Sequence, residues 1–178
     1  RGADSCASPG DLSTALLAAS QSGHLELVRL LINKLGADVH AVSKLKGRDQ
    51  WTPLHYAACF GNHDVAALLL DHNALVDKHD AVGMAPLHYA ASHGQTSTVE
   101  LLLSRGADVN GVAAKDGWCA LHYAADKGHF DVIKVLVSAG ADVDSRAADW
   151  QTPLHRAAKM VHPKAIRLLC KLRANQDA

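Results

Sequence analysis

The sequence predicts an all-α solenoid of about five stacked helix pairs, and two observations point to it. The first is a stretch that runs from Thr52 to Gly61, TPLHYAACFG, and returns in variant form from Ala85, Cys119 and Thr152. These starting positions are almost evenly spaced along the chain. The second is that an apolar segment with helical spacing follows each stretch, such as VIKVLV at 132–137. A fixed period of this length is typical of repeat proteins, in which each unit buries its apolar face against its neighbours.

The repeated stretch carries a pattern known from one family. Four copies of T-P-L-H-x-A, with small substitutions, resemble the ankyrin-repeat family over almost the whole chain. A degenerate copy, TALLAA, begins at Thr14, and Gly23 stands at the same distance behind that threonine as Gly61 stands behind Thr52. The resemblance implies helix-turn-helix pairs with β-turn fingers that project from the stack.

We expect a single ankyrin-repeat domain across residues 1–178. Arg1-Gly2-Ala3-Asp4 matches Arg105-Gly106-Ala107-Asp108, which favours the tail of a preceding repeat over a chance match in a disordered leader. The predicted units are that tail at 1–12 and repeats at 13–45, 46–79, 80–113, 114–146 and 147–178, the last degenerate.

Each repeat contains signals for the ends of its two helices. A hydroxyl or small residue caps the first helix, and proline follows in its first turn, where the missing N–H costs nothing. Glycines at 23, 61, 94 and 128 end the first helices in a conformation that is cheap only for glycine. The second helices are predicted to end at Gly36, Asn73, Gly106 and Gly140, since asparagine tolerates positive φ better than other non-glycine residues.

One finger departs from the period. The interval from Thr14 to Thr52 is longer than those between the later copies, because one extra residue precedes Gly36 and four more lie in the finger 41–50. This finger carries Lys44, Lys46 and Arg48, and we expect it to be longer, basic and mobile. A recognition role and a solvated loop without a partner both remain open.

The last repeat also departs from the pattern. Val161 replaces the helix-ending glycine, Pro163 opens the second helix, and Arg173-Ala174-Asn175 replaces Gly-Ala-Asp. A terminal repeat exposes a face that inner repeats bury, and a polar face keeps it soluble. Three basic residues of its second helix fit that requirement, namely Lys164, Arg167 and Lys171. A native end of the array and a truncation of it both remain open.

Composition excludes several classes of partner. A formal net charge of zero argues against nucleic acid and anionic membranes, both of which reward a basic excess. No apolar run approaches the roughly 20 residues of a membrane span. No signal peptide is visible, and the chain begins without methionine, as an excised fragment would.

The four cysteines (Cys6, Cys59, Cys119, Cys170) lack C-x-x-C spacing. This favours free thiols and an intracellular location, either cytoplasmic or nuclear.

The twelve histidines do not predict a metal or catalytic site. His55, His88, His122 and His155 occupy one position per repeat, and stacked helices lie roughly 8–10 Å apart. Zinc ligands must each approach the ion to about 2 Å, so these side chains cannot share one. The resemblance implies that they form hydrogen bonds within and between repeats. Because no phosphate loop, nucleophile elbow or paired carboxylates appear, we expect no enzymatic activity, cofactor or metal.

The resemblance implies that a protein or peptide binds a concave face lined by the fingers and first helices. Trp51, Met84 and Trp118 precede the repeated stretch in three successive repeats and are expected to form an exposed stripe of binding hot spots. The alternative is that such tryptophans shield finger backbone and pack on one another. Further candidates from the same surface are Trp150, Phe60, His93, Lys127, Arg48 and the residues after the motif histidine, Tyr56, Tyr89, Tyr123 and Arg156.

Those tyrosines also have a structural interpretation as support for the neighbouring repeat. Asn110 resembles the finger asparagine that hydroxylases modify in some ankyrin proteins, and it is a candidate modification site.

The function expected from these features is a non-catalytic protein–protein interaction module, monomeric alone, that presents a rigid concave groove to its partner. The alternative is a regulatory or substrate-recruiting ankyrin region of a larger multidomain enzyme or channel. The same surface would serve both, so the sequence leaves the choice open.

Overall fold

The structure is a computed structural model that describes residues 9–176, with side chains described for residues 10–172. Between residues 9 and 176 it contains ten α-helices, and outside them one isolated antiparallel bridge between Val112 and Cys119. The helices are α1 (Pro9–Ser22), α2 (Leu25–Asn33), α3 (Pro53–Phe60), α4 (His63–Asp71), α5 (Pro86–Ser92), α6 (Thr96–Ser104), α7 (Ala120–Lys127), α8 (Phe130–Ser138), α9 (Pro153–Lys159) and α10 (Pro163–Gln176).

The helices form two rows. The first helices of the repeats, α1, α3, α5, α7 and α9, pack side by side, and the second helices, α2, α4, α6, α8 and α10, form a parallel row behind them. The motif leucines of α3, α5 and α7 are buried between the rows, and the Ala-Ala pairs of the same three helices are fully buried, as at Ala57 and Ala58. Alanine leaves room for neighbouring helices to approach closely. The predicted all-α solenoid is confirmed.

Three of the four motif histidines, His55, His88 and His122, each join two repeats. The backbone N–H of Thr52 donates to Nδ1 of His55 at 3.1 Å, so Nε2 of this ring carries the proton. Nε2 then donates to the carbonyl oxygen of Met84 in the next finger at 3.1 Å. The same bridge recurs from His88 to the carbonyl of Gly111 and from His122 to that of Gln151, both at 3.0 Å. The predicted hydrogen bonds within and between repeats are confirmed.

The glycine that ends a first helix is required for two reasons. Gly128 has φ +71°, in the left-handed region that favours glycine. A Cβ at this position would also lie 2.6 Å from Nδ1 of His162 in the next repeat. Val161 occupies the equivalent position of the last repeat with φ +58° and is 78% exposed. Since no neighbouring side chain crowds Val161, the only cost of a Cβ at this position is that of the left-handed backbone conformation.

The residue after this glycine makes another contact between repeats. His129 directly precedes α8, but its ring does not cap that helix. Its Nε2 instead donates to the carbonyl of Ser92 in the preceding repeat at 3.0 Å. Asn62 uses its side-chain amide in the same way on the carbonyl of Ser20 at 2.8 Å. The polar end of each first helix is therefore satisfied by the repeat that follows it.

Two boundaries differ in their detail from the repeat pattern. Residues 9–12 form the first turn of α1, so their assignment to the tail of a preceding repeat is wrong; residues 1–8 lie outside the described residues. Pro9 in the first turn and Asp11 close behind it are signals for a helix start that extrapolation from the later repeats overlooked. At the other end, α10 continues through position 173, where glycine would have ended it. Asn73 has φ +63°, as predicted.

The long finger 41–50 is hydrogen-bonded at its base and at its side, and its mobility stays a prediction. The backbone N–H of Ser43 donates to the carbonyl of Trp51 at 2.8 Å, and that of Gln50 donates to the carbonyl of Ser43 at 2.9 Å. The backbone N–H of Ala81 donates to the carbonyl of Asp49 at 3.2 Å, which joins this finger to the next.

None of the helices between residues 9 and 176 has the length and apolar character needed to cross a bilayer.

We predict that His55 and His88 lower the stability of the fold in mild acid. His122 acts in the opposite sense, because burial of its ring is outweighed by the contacts with Cys119, which raise its pKa. Burial lowers the pKa of His55 to about 4 and also places the pKa of His88 below its ordinary value. The unfolded chain, with a histidine pKa of about 6.5, therefore binds protons first, so stability is complete above that pH and is lost as the pH falls towards 4. Each such histidine can contribute a slope of up to about 1.4 kcal/mol per pH unit in that window. Urea unfolding between neutral pH and pH ~5 measures it.

The variant His40→Gln is the control. Because the His40 side chain is exposed, its replacement is expected to leave the dependence of stability on pH unchanged. A free energy of unfolding that stays constant over the same pH window would contradict the prediction.

We also predict that Val161→Gly stabilises the protein. The left-handed conformation costs valine about 1–2 kcal/mol, which exceeds the entropic cost of glycine, about 0.5–1 kcal/mol. A net gain of up to about 1 kcal/mol would raise Tm by about 2–4 °C in a domain of this size. Gly106→Ala is the matched opposite, because a Cβ there meets nothing within 4 Å and adds only the conformational cost at φ +86°. A lowered Tm for Val161→Gly would show that the backbone there is not strained.

Candidate interaction surface

A row of exposed side chains lies at the carboxyl ends of four successive first helices. Phe60, His93, Lys127 and Met160 occupy the same position in their repeats, and all four lie at the surface, with Phe60 at 42% exposure. Because the first helices stack side by side, these residues form a continuous surface, which we call the helix-end row. The sequence identified the first three as candidates. Met160 follows Lys127 by one repeat period and so belongs to the same row, although it was not among the candidate binding residues.

The finger tryptophan of the second repeat does not belong to an exposed surface. The indole of Trp51 is only 5% exposed. It lies between the ring of Tyr56, at 5.1 Å between centroids, and the ring of Tyr89 in the next repeat, at 4.3 Å. Tyr56 is buried as well. The predicted exposed stripe is therefore wrong at Trp51, because the ring fills the space between the tyrosines of two neighbouring repeats.

Trp118 repeats this packing in the fourth repeat. Its ring lies 5.0 Å from that of Tyr123 and 4.3 Å from the guanidinium carbon of Arg156, which replaces the tyrosine of the following repeat. Trp118 is half-buried, and so is Met84 between the two tryptophans. The alternative interpretation of the finger tryptophans, as side chains that pack on their neighbours, describes both sites.

The tyrosines after the motif histidine hold the fingers in place. The hydroxyl of Tyr89 donates to the carboxylate of Asp80 at 2.5 Å, and that of Tyr123 donates to Asp116 at 3.0 Å. Burial, together with the adjacent carboxylate, raises the pKa of both phenols. The other oxygen of Asp80 accepts the backbone N–H of Met84 at 2.9 Å. A structural role for these tyrosines is therefore supported by their hydrogen bonds.

Arg156 is held by an ion pair with Asp126 in the preceding repeat. Lys127 contacts the other oxygen of this carboxylate at 3.2 Å. Burial alone would raise the pKa of Asp126, but the hydrogen bonds from Arg156 and Lys127 outweigh it and place the pKa below its ordinary value. Asp126 is thus a buried anion between two cations, one of which belongs to the helix-end row.

Arg48 extends the helix-end row onto the long finger. Its guanidinium carbon lies 5.3 Å from the ring centroids of Trp51 and Tyr56 and 5.4 Å from that of Phe60. Its Nη1 donates to Oε1 of Gln21 in α1 at 3.1 Å. Such cation–π contacts each contribute about 0.5–1 kcal/mol at exposed sites. Arg48 therefore connects the finger to both α1 and α3.

Trp150 differs from the other finger tryptophans because it is 72% exposed. Its φ is +62°, and the equivalent positions of two earlier fingers are occupied by glycine, Gly83 and Gly117. A Cβ at Gly83 would lie 2.4 Å from Ala114 of the next finger, whereas the exposure of Trp150 leaves its side chain room. The guanidinium of Arg146 lies 5.5 Å from its ring centroid.

Asn110 joins two fingers through both atoms of its amide. Its Nδ2 donates to the carbonyl of Gly140 at 3.2 Å, and its Oδ1 accepts the backbone N–H of Asp142 at 2.9 Å. The residue is exposed, and its modification stays a prediction.

One pair of side chains has the spacing of a nucleophile and its base. Sγ of Cys119 lies 3.1 Å from Nδ1 of His122. Both side chains are buried, and Cys119 occupies the helix-capping position that Thr52 holds in the second repeat. Nδ1 of His122 also accepts the backbone N–H of Cys119, at 3.3 Å. The contact between Cys119 and His122 is therefore the same cap contact that Thr52 and His55 form at the start of α3. Among the described side chains, no group of three or more His, Cys, Asp or Glu residues could hold a metal ion.

Comparison with known proteins agrees with this geometry. The model of the family "Ankyrin repeats (3 copies)" matches residues 16–113, 72–147 and 110–178. The ankyrin repeat and KH domain-containing protein mask of Drosophila melanogaster is 39% identical over 80 residues, which are 45% of this chain and 2% of that protein.

Two further relatives are shorter matches. The protein phosphatase 1 regulatory subunit 12A of Mus musculus is 37% identical over 70 residues, or 39% of this chain and 6% of that protein. The Notch-regulated ankyrin repeat-containing protein of Homo sapiens is 44% identical over 57 residues, or 32% of this chain and 46% of that protein. The chain thus spans less than half the length of each of these relatives. The family matches cover residues 16–178, and the chain belongs to the ankyrin-repeat family.

Proposed function

We propose that this chain is a non-catalytic protein-interaction module and that its partner binds across the helix-end row. The observation that carries the proposal is that Phe60, His93, Lys127 and Met160 stand at the surface at one position of four stacked repeats. The stack fixes their spacing through the buried histidine bridges. A surface that is already ordered loses little conformational entropy when a partner docks.

The relatives support a regulatory or adaptor role. One of them is named as a regulatory subunit of a phosphatase and another as a Notch-regulated protein. Because the chain matches only 2% and 6% of two long relatives, its role as the recruiting region of a larger protein is a second candidate. Cys59, Cys119 and Cys170 are free thiols, which favours an intracellular location.

Trp150 adds a second contact region at the finger tips. A large exposed aromatic residue in a left-handed conformation is costly, and strained residues of this kind cluster at binding sites. Tryptophan is also enriched among hot spots of protein interfaces. We infer that Trp150 contributes to binding, whereas Trp51 acts by shaping the finger behind the surface.

The helix-end row is tested by the double variant Phe60→Ala/Lys127→Ala. Loss of two of the four contacts in the row is expected to weaken partner binding by about 2 kcal/mol or more while the fold persists. The matched control is Leu75→Ala/Lys134→Ala, which removes an exposed leucine and an exposed lysine outside the row. Proteins captured from lysate by each immobilised domain are quantified by mass spectrometry, and circular dichroism checks folding.

A captured set that survives the Phe60→Ala/Lys127→Ala change and disappears with the control would place the interface away from the helix-end row.

Trp150→Gly separates binding from stability. The change relieves the left-handed strain and is expected to stabilise the fold by up to about 1 kcal/mol. The same change is expected to weaken capture of the partner, because the exposed ring is lost. Thermal unfolding and the capture assay are measured on one sample, with Trp150→Asn as a second variant that also tolerates positive φ. Unchanged capture would mean that tryptophan is merely tolerated there.

A further inference from the structure

We propose that the groove between α1 and the long finger binds an acidic peptide segment that inserts one large apolar side chain. This inference rests on the proposed interaction function and names the chemistry of a partner. The groove has a volume of about 560 Å³, within the roughly 300–1,000 Å³ of ligand-binding pockets. Its lining includes Thr14, Leu17 and Ala18 from α1, Val42 and Leu45 from the finger, and Tyr56.

The floor and walls of the groove are largely apolar. Leu17 is half-buried, Ala18 is exposed and the ring of Tyr56 closes the bottom. Leu45 stands on the finger and is 63% exposed. An apolar side chain placed between Leu17 and Leu45 would cover both, and burial of apolar surface gains roughly 25 cal/mol per Å².

The groove is preformed because the finger is attached at several points. The Tyr56 hydroxyl donates to Oγ of Ser43 at 3.3 Å, and Arg48 reaches across to Gln21 of α1 at 3.1 Å. The backbone bonds between Ser43 and Trp51 close the base of the finger. The inserted residues of this finger thus form a wall that faces α1. A wall held in this way need not be ordered on binding.

The charge of the finger selects the partner. Segment 41–50 contains three cations, Lys44, Lys46 and Arg48, against the single carboxylate of Asp49. Lys44 lines the groove, and neither Lys44 nor Lys46 takes part in the ion pairs of the described residues. Carboxylates that flank an apolar anchor would pair with these two ammonium groups. The apolar floor and the zero net charge of the chain favour an acidic peptide over nucleic acid.

Fluorescence polarisation with two peptide pools tests the proposal. One pool contains labelled dodecapeptides with a central Leu, Phe or Trp flanked by Asp and Glu; the other replaces the acids with Asn and Gln. We expect the acidic pool to bind about tenfold more tightly at low salt, and less so as salt rises. Amide shifts in ¹H–¹⁵N spectra are expected to concentrate in residues 13–21 and 41–48.

Two sets of variants test separately the charged contacts of the finger and the apolar contacts of the groove. Lys44→Glu/Lys46→Glu is expected to weaken binding of the acidic pool about tenfold or more, whereas Lys78→Glu/Lys115→Glu, in the next two fingers, leaves it unchanged. Ala18→Trp fills the groove from an exposed position and is expected to abolish binding. Circular dichroism verifies that each variant is folded.

Several outcomes would overturn the proposal. These are equal binding of the neutral pool, binding that Ala18→Trp leaves intact, and shifts confined to the helix-end row. Tighter binding of a single-stranded oligonucleotide or of phosphatidylserine vesicles, or a dimer that Ala18→Trp dissociates, would assign the groove to another occupant. If Phe60→Ala/Lys127→Ala abolishes partner capture but acidic peptides do not bind, this inference fails while the proposed function stands.

Discussion

The structure depends on a polar ring buried at three of the four junctions between its five repeats, since Leu17 takes the histidine position in the first repeat. His55, His88 and His122 lie at most 2% exposed, where an unpaired imidazole would cost free energy comparable to a lost hydrogen bond. Each ring satisfies one nitrogen in its own helix cap and the other at the next finger, so a repeat is complete only when its neighbour is present. The distance between successive fingers is fixed by this pair of bonds.

The aromatic packing of the fingers follows from the same geometry. Once neighbouring first helices are set at a fixed distance, the side chain after each motif histidine faces the finger of the preceding repeat. Trp51 fills that space against Tyr89, and Trp118 fills it against Arg156. Tyr89 and Arg156 thus each present a flat group to an indole ring. Only Arg156 also forms an ion pair with the preceding repeat. The surface available to a partner is what this packing leaves exposed.

Most of the fold could be predicted from the sequence because the repeat supplies the same signals several times. Positive φ at Asn73 and the role of His88 follow from local chemistry that every repeat shares. The burial of Trp51 could not be predicted, because it depends on a contact with Tyr89 in the next repeat, at a distance that the helix packing decides. The conformation of the finger 41–50 could not be predicted from the sequence either. Arg48 contacts three rings and Gln21, and an insertion has no equivalent in the other repeats from which to infer this.

The glycine positions show how a repeat protein can vary in sequence. At Gly83 and Gly128 the next repeat leaves no room for a Cβ, so mutation there is opposed by two independent costs. At Trp150 and Val161 the steric cost is absent and only the backbone conformation opposes change. A new side chain at these two positions would therefore leave the packing between the described repeats undisturbed. The contact surface of a repeat array can thus be altered at its uncrowded left-handed positions, while its crowded glycines keep neighbouring repeats at a fixed distance.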